Sequence, residues 1–291
     1  MDLLIGASGT VGRHVRNAYR GRTDVRLLAH STRSAEAGAA DGFANIVVAD
    51  LSNPATLAPA FYGVKRVFLL TPASPMQYEL ELNALRAAET AGVTRVVKLS
   101  LLYVGDAPSI RLKRPHEIVE AHLASSGLSY ACVQPPAYVD NLLWQLEAIR
   151  EGRIVYPGGT GRISHIDARD VAAVALLALT DDGLTGRLRI TGPEALTYGE
   201  LAERVSLLLG RSVTYVDAPA PTWRASAIAS GFPEEVADTY VEAFAYYSSQ
   251  PPLVDTALIE RATGAPARRV DAFITETLRA AVGAEASPTA S

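Results

Sequence analysis

The sequence predicts an α/β protein: a Rossmann-like, doubly wound parallel sheet with a smaller C-terminal α/β substrate lobe. Three observations predict it. Short apolar runs recur along the first half of the chain, beginning with DLLI at 2–5. Stretches with helical spacing of apolar residues separate them. Gly6, Gly9 and Gly12 stand between the first run and the first helical stretch. Near-continuous apolar strands alternating with helices are the pattern of a parallel sheet covered on both faces.

The elements follow in order. Leu3, Leu4 and Ile5 are too few for a helix and too continuous for a half-exposed strand. The helix after Gly12 has Val11 and Val15 on one side and Arg13, Arg16 and Asn17 on the other. VRLLA (25–29) and NIVVAD (45–50) read as strands, with a helix over 53–62. VKRVFLLTP (64–72) is a strand, followed by a helix over 77–91 that Gly92 ends. RVVKLSLL (95–102) and LSYACVQP (128–135) are strands flanking a helix over 115–125, with proline in its first turn. Beyond 135 the regularity weakens. Strands are expected at 162–167, 186–192 and 212–219, and helices at 170–179, 197–210, 223–247 and 270–282. Thr197 and Glu200 form a capping-box pattern, worth about 1 kcal/mol to a helix. APAPT (218–222) reads as a stiff connector. The expected division is a dinucleotide domain over 1–135 with returning segments near 162–180, a substrate lobe over 136–161 and 183–283, and a disordered tail over 284–291.

The glycine spacing carries chemistry. A helix start exposes unpaired N–H groups and partial positive charge, which suit a pyrophosphate. Gly6 permits the sharp bend, Gly9 removes the Cβ that would block the phosphate, and Gly12 lets helix and strand pack closely. Ser8, Thr10 and Val11 complete the turn. An acidic residue at the end of the second strand would hold ribose hydroxyls; here that position offers His30, Ser31, Thr32 and Arg33, with Arg13 nearby. NADP(H) is therefore favoured, with NAD(H) as the alternative. Asp50 and Leu51, at the end of the third strand, are candidates for the adenine.

The composition narrows the classes of function. The chain has 291 residues, 48% of them hydrophobic, and a net charge of −4. There is no basic block for nucleic acid, and no window with the ~18 apolar residues of a membrane span. Cys132 is the only cysteine, which excludes an internal disulfide and a thiolate metal cluster, and no metal is expected. The opening residues already read as a strand, so no leader is expected, and the protein is read as cytoplasmic, a monomer or homodimer.

GASGTVG at 6–12, AD-L at 49–51, VFLLTP at 67–72, VVKLS at 96–100, HEIVE at 116–120, SGLSY at 126–130 and QPPAYVDNLL at 134–143 resemble the atypical short-chain dehydrogenase/reductases. The nearest branch is the NmrA-like group, with its NAD(P)H:quinone- and azo-reductase-like members. The resemblance implies that Thr71 and Pro72 line the nicotinamide ribose region, with Lys98 and Ser100 nearby. Redox members usually carry a Tyr-x-x-x-Lys pair, in which the tyrosine protonates a developing alkoxide. No tyrosine here has a lysine four residues later. His116 falls at the lysine position and Leu112 at the tyrosine position.

That departure favours acceptors needing little acid help. A quinone takes hydride to a delocalised phenolate, whereas a simple ketone needs its proton at once. His116 is a candidate ribose ligand or proton relay, and Tyr103 a substitute acid. Tyr138, Asn141 and Trp144, together with Trp223 and Phe244, are candidates for a flat aromatic substrate. The leading reading is an NADPH-dependent reductase of quinones or polycyclic aromatics, in aromatic polyketide or other secondary metabolism. The alternatives are a non-reductive tailoring enzyme, such as one coupling aryl units of aromatic polyketides, and an NADP-holding redox sensor without turnover.

Overall fold

A computed structural model describes residues 1–103, 105–106 and 108–283; the expected tail at 284–291 lies outside the described residues. The chain forms two compact units. The first comprises Met1–Pro135, Ala168–Ile190 and Ala257–Ala265; the second comprises Pro136–Asp167, Thr191–Thr256 and the chain from Pro266 onward.

In the first unit, β1 (Asp2–Ile5) leads through the glycine turn into α1 (Gly12–Ala18). Next come β2 (Val25–Ala29), α2 (Thr32–Ala40), β3 (Ile46–Val48) and, after a 3-10 turn at Pro54–Thr56, α3 (Ala58–Phe61). β4 (Arg66–Leu69), α4 (Gln77–Thr90), β5 (Arg95–Leu99), α5 (Arg114–Ser125) and β6 (Ser129–Gln134) continue the alternation. The second unit begins with a 3-10 segment at Val139–Gln145, then α6 (Leu146–Arg150) and β7 (Arg153–Tyr156). The chain returns to the first unit for α7 (Ala168–Thr180) and β8 (Gly186–Arg189). The second unit resumes with α8 (Tyr198–Leu209), β9 (Thr214–Asp217), α9 (Ala220–Ala229) and α10 (Glu234–Ser249). Helix α11 (Ala257–Thr263) belongs to the first unit. A last helical run at Val270–Phe273, Ile274–Leu278 and Arg279–Gly283, with a π turn in its middle, closes the second.

The large sheet has seven strands in the order β3-β2-β1-β4-β5-β6-β8, all parallel. Its centre is apolar on both faces: Leu4, Phe68, Val97 and Ala131 line one, and Leu3, Val67 and Val96 the other. Strand order reverses between β1 and β4, and the carboxyl ends of strands at such a switch point form the ligand crevice of open α/β sheets. The glycine turn follows β1, and Thr71-Pro72 follows β4. In the second unit β7 and β9 pair in parallel, Ile154 opposite Tyr215. No described helix is long and apolar enough to cross a membrane.

The structure departs from the expected elements at specific places. TRSAEAGAA forms α2 despite lacking an apolar stripe, because alanine has the best helix propensity and Ser31 caps the start, accepting from Ser34 N at 3.2 Å. The expected helix at 53–62 is broken by its prolines into two short turns. RISHID is not a strand. Ile163 bridges Leu196 and Ile166 bridges Tyr138, while the Ser164 carbonyl accepts from Gly192 N at 3.2 Å. Its backbone is satisfied by several partners, with no continuous ladder. APAPT is not a connector, since Pro219 and Pro221 stand at the start of α9, where a missing N–H is harmless. The expected helix at 223–247 is two helices. Gly231, at φ +97, and Pro233 stop one and begin the other. The capping box of α8 is present, with both Thr197–Glu200 hydrogen bonds formed.

Candidate active site

The glycine turn separates three steric roles. Gly6 sits at φ +79, and a Cβ there would collide with the Leu70 carbonyl oxygen. A Cβ on Gly12 would collide with the Gly6 carbonyl oxygen. Both glycines are thus required by close backbone packing of the turn. Gly9 is different. A Cβ there would meet only Gly6 O at 3.6 Å and Leu70 Cδ2 at 3.8 Å, ordinary van der Waals distances. Ser8, Gly9 and Thr10 are exposed, Val11 is buried beneath them, and α1 opens without a side-chain cap. The missing Cβ at Gly9 leaves a clearing above the exposed turn.

Around this turn, Arg13 Nε donates to His14 Nε2 at 3.3 Å, and Arg33 is exposed in the first turn of α2. Asp50 is exposed and accepts from both the backbone N and the hydroxyl of Ser52 at 2.8 Å, the hydroxyl above all holding its carboxyl below the usual range. Leu51 packs on the core of the first unit, and its carbonyl accepts from Asn83 Nδ2 at 2.9 Å.

Beyond β4 and β5 the structure assembles a buried polar chain. The Thr71 hydroxyl donates to Glu81 Oε1 at 2.7 Å. Lys98 Nζ lies 3.0 Å from Glu81 Oε2, an ion pair with both side chains at most 1% exposed. Lys98 Nζ also donates to Leu99 O at 2.9 Å and meets His116 Nδ1 at 2.7 Å. An ammonium only donates, so Nδ1 accepts and the neutral ring carries its proton on Nε2. Burial, and then the charge of Lys98, hold the His116 imidazole well below its ordinary pKa. Its Nε2 lies 3.2 Å from Gln77 Nε2.

Lys98, expected near the nicotinamide ribose, places its Nζ against Glu81, Leu99 O and His116. His116, expected as a ribose ligand or proton relay, has a protein neighbour at each ring nitrogen. Ser100 has partners of its own: its hydroxyl donates to Glu120 Oε1 at 2.5 Å, Gln134 Nε2 donates to the same oxygen at 2.9 Å, and Arg187 Nε reaches Oε2 at 2.8 Å. Pro72 is exposed.

Tyr103 has φ +67, and no other described non-glycine residue has a positive φ. Such a conformation costs on the order of 1–3 kcal/mol and persists only where the surroundings impose it. Further along the chain, Lys113, fully buried, donates to the Asp106 carbonyl and to Pro108 O at 2.8 Å. Arg189 grips both carboxylate oxygens of Asp106, at 2.9 and 3.0 Å.

The second unit holds a connected set of rings that includes three of the expected substrate residues. Trp144, 47% exposed, meets Phe232 and Tyr240 edge-on at 5.7 and 5.6 Å between centroids. Phe244 contacts Tyr156, Tyr198, Trp223 and Tyr240. Trp223 is buried, so its ring belongs to this unit's core rather than to a surface. Tyr138 is half-buried and bridges Ile166 through its backbone, and Asn141 O accepts from the Tyr156 hydroxyl at 3.0 Å.

Glu81, Gln77 and Arg187 are not among the residues expected from the sequence. The signal was present in α4, where Gln77 and Glu81 share a buried stripe with Ala84, Leu85 and Ala88. Polar residues on the buried face of a helix demand partners. Among the described residues, no group of three or more His, Cys, Asp or Glu is placed to hold a metal.

An NAD(P)H-binding family model matches residues 6–182. An NAD(P)H azoreductase of Xenophilus azovorans is 34% identical over 281 residues, spanning 94% of this chain and 96% of that protein. A (4-alkanoyl-5-oxo-2,5-dihydrofuran-3-yl)methyl phosphate reductase of Streptomyces griseus is 32% identical over 272 residues, 92% of this chain and 94% of the other. The crystal structure of an NADPH-dependent quinone oxidoreductase from Escherichia coli, complexed with NADPH, superimposes with a TM-score of 0.85 at 25% identity, covering 96% of this chain and all of that one. The chain therefore belongs to the NAD(P)H-binding family, within the atypical short-chain dehydrogenase/reductases that its motifs resemble.

Proposed function

We propose that the protein is an NADPH-dependent reductase of flat, electron-poor acceptors such as quinones and azo compounds. The observation that carries this reading is the open Cβ position at Gly9, on an exposed turn whose other two glycines the fold itself requires. Ser8, Gly9, Thr10 and Val11 hold the pyrophosphate through main-chain N–H groups at the start of α1, with Gly6 and Gly12 shaping the turn. Arg13 and Arg33 face the 2′-phosphate, in a stretch from His30 to Arg33 that contains no carboxylate to repel it. Asp50 and Leu51 flank the adenine, and Thr71 and Pro72 the nicotinamide ribose. When bound, NADPH supplies a hydride.

The chain's own groups then divide the remaining work. Lys98, His116 and Ser100 act as positioning residues, because their polar atoms are engaged inside the protein. Tyr103 is the proton donor. Trp144, 47% exposed and met edge-on by Phe232 and Tyr240, is the candidate stacking partner for a planar substrate, with Tyr138, Asn141 and Phe244 as further candidates. The three relatives are named for azo, dihydrofuranone and quinone reduction, which are conjugated acceptors.

Stopped-flow oxidation of NADPH against a panel of quinones and azo dyes tests the reading. NADPH binding without oxidation by any acceptor overturns it. Tyr103→Phe should lower turnover of an azo dye by about 100-fold, the range of a lost general acid, and of a quinone by less than about tenfold. Equal losses on both substrates would remove Tyr103 from proton transfer.

A further inference from the structure

Glu81 has no place in the steps above, yet it is the most enclosed carboxylate of the first unit that touches an expected cofactor residue. It lies on α4 and reaches two strand ends at once: Thr71 after β4 through Oε1 at 2.7 Å, and Lys98 on β5 through Oε2 at 3.0 Å. A carboxylate paired with an ammonium only accepts. The single proton of the Thr71 hydroxyl is therefore committed inward, and its remaining lone pair can only accept. Thr71 is itself buried, with a small exposed remainder.

We propose that Glu81 is a positioning residue for the dinucleotide, which makes Thr71 an acceptor-only contact for a donor of the cofactor and absorbs the charge of Lys98. The donors available on that side are a ribose hydroxyl or the carboxamide N–H of the nicotinamide. The inference rests on the reading of Thr71 as a cofactor-lining residue. It also accounts for the inward turn of Lys98. With Glu81 and His116 as partners, the ammonium is balanced inside the unit, and the hydroxyl polarity at Thr71 is fixed before any ligand arrives. Fixing a polar contact in advance spares the ordering that binding would otherwise require.

The test is fluorescence titration of the full chain with NADPH. Thr71→Val should weaken binding by about tenfold, the value of one hydrogen bond whose partner is left unsatisfied, and Thr71→Ser should restore it. Two double variants probe Glu81 without stranding a buried charge. Glu81→Gln with Lys98→Met keeps an acceptor for the Thr71 hydroxyl, whereas Glu81→Leu with Lys98→Met removes it. The Leu pair should bind NADPH about tenfold more weakly than the Gln pair, and adding Thr71→Val to it should cause no further loss. Equal binding by the two double variants overturns the inference. If the Leu pair does not fold, equal binding by Thr71→Val and Thr71→Ser overturns it instead. Absence of NADPH binding by the unaltered chain would refute the cofactor reading itself, a separate outcome.

Discussion

Gly9→Ala is expected to leave the fold intact and to weaken NADPH binding roughly 30-fold, about 2 kcal/mol, the cost of overfilling a well-packed contact by one methyl. The asymmetry comes from the three Cβ positions. At Gly9 an added methyl stands at ordinary contact distance from its two protein neighbours, 3.6 and 3.8 Å away. Its backbone is outside the left-handed region, so alanine adopts the same conformation without strain. Such a substitution restricts the unfolded chain and raises the stability of the ligand-free protein by about 0.5 kcal/mol. The methyl then occupies the clearing proposed for the phosphate. Gly12→Ala should behave in the opposite order. Its methyl would drive into the Gly6 carbonyl oxygen, with Ala7 Cα only 2.9 Å away, and neither is a side chain that can swing aside. That variant should lose about 3 kcal/mol of stability before any ligand is added. Thermal melts without ligand, paired with NADPH titrations, separate the two. Unchanged binding by Gly9→Ala would mean that the clearing is not where the phosphates sit.

The same comparison shows what was legible in the sequence. The glycine turn was readable because its constraints are local: bend, clearing and close packing each need one residue within seven positions. The alternation of apolar strands was readable for a similar reason, since burial on both faces of a central strand leaves no polar position to obscure the run. The polar chain was not readable as a unit. Thr71, Glu81, Lys98 and His116 come from the end of β4, from α4, from β5 and from α5, and only the sheet order places them together. Lys98 and His116 lie in segments that carry the family resemblance, so Lys98 is expected near the nicotinamide ribose and His116 as a ribose ligand or proton relay. Glu81, which turns Lys98 inward, carried no motif. Secondary structure failed where its signal was weak or misleading. Helix α2 rests on alanine propensity rather than on an apolar stripe. RISHID reads like a strand, but Ile163 and Ile166 are three apart rather than two, the intervening Ser164 and His165 are buried too, and its backbone partners lie on several segments.

Lowering the pH from 6.5 to 4 is expected to cost the second unit about 3 kcal/mol through His165 alone. The imidazole is 4% exposed and ordinarily titrates near 6.5; burial pushes it down to about 4, with a hydrogen bond to the Ile163 backbone opposing part of that shift. Its Nδ1 finds no hydrogen-bond partner among the described residues, and the ring lies edge-on to Tyr198 at 5.5 Å. The neutral form suits these surroundings and the charged form does not. In the unfolded chain His165 takes a proton as pH falls below about 6.5, while in the folded chain it resists until about 4. Over that window the unfolded state binds more protons, so stability rises with pH; the contribution is complete above the upper limit and lost progressively toward the lower. His116 in the first unit shifts in the same direction and adds the same sign. The chain's two tryptophans, Trp144 and Trp223, both lie in the second unit, so their fluorescence in urea titrations follows that unit. Carboxylates titrate in the same range, and the comparison with His165→Phe subtracts them. That variant keeps an aromatic ring beside Tyr198 and should flatten the slope of stability against pH between 4 and 6.5. An identical slope in the two proteins would show that His165 is protonated at its ordinary pH in the folded chain, and that its unpartnered nitrogen is open to water.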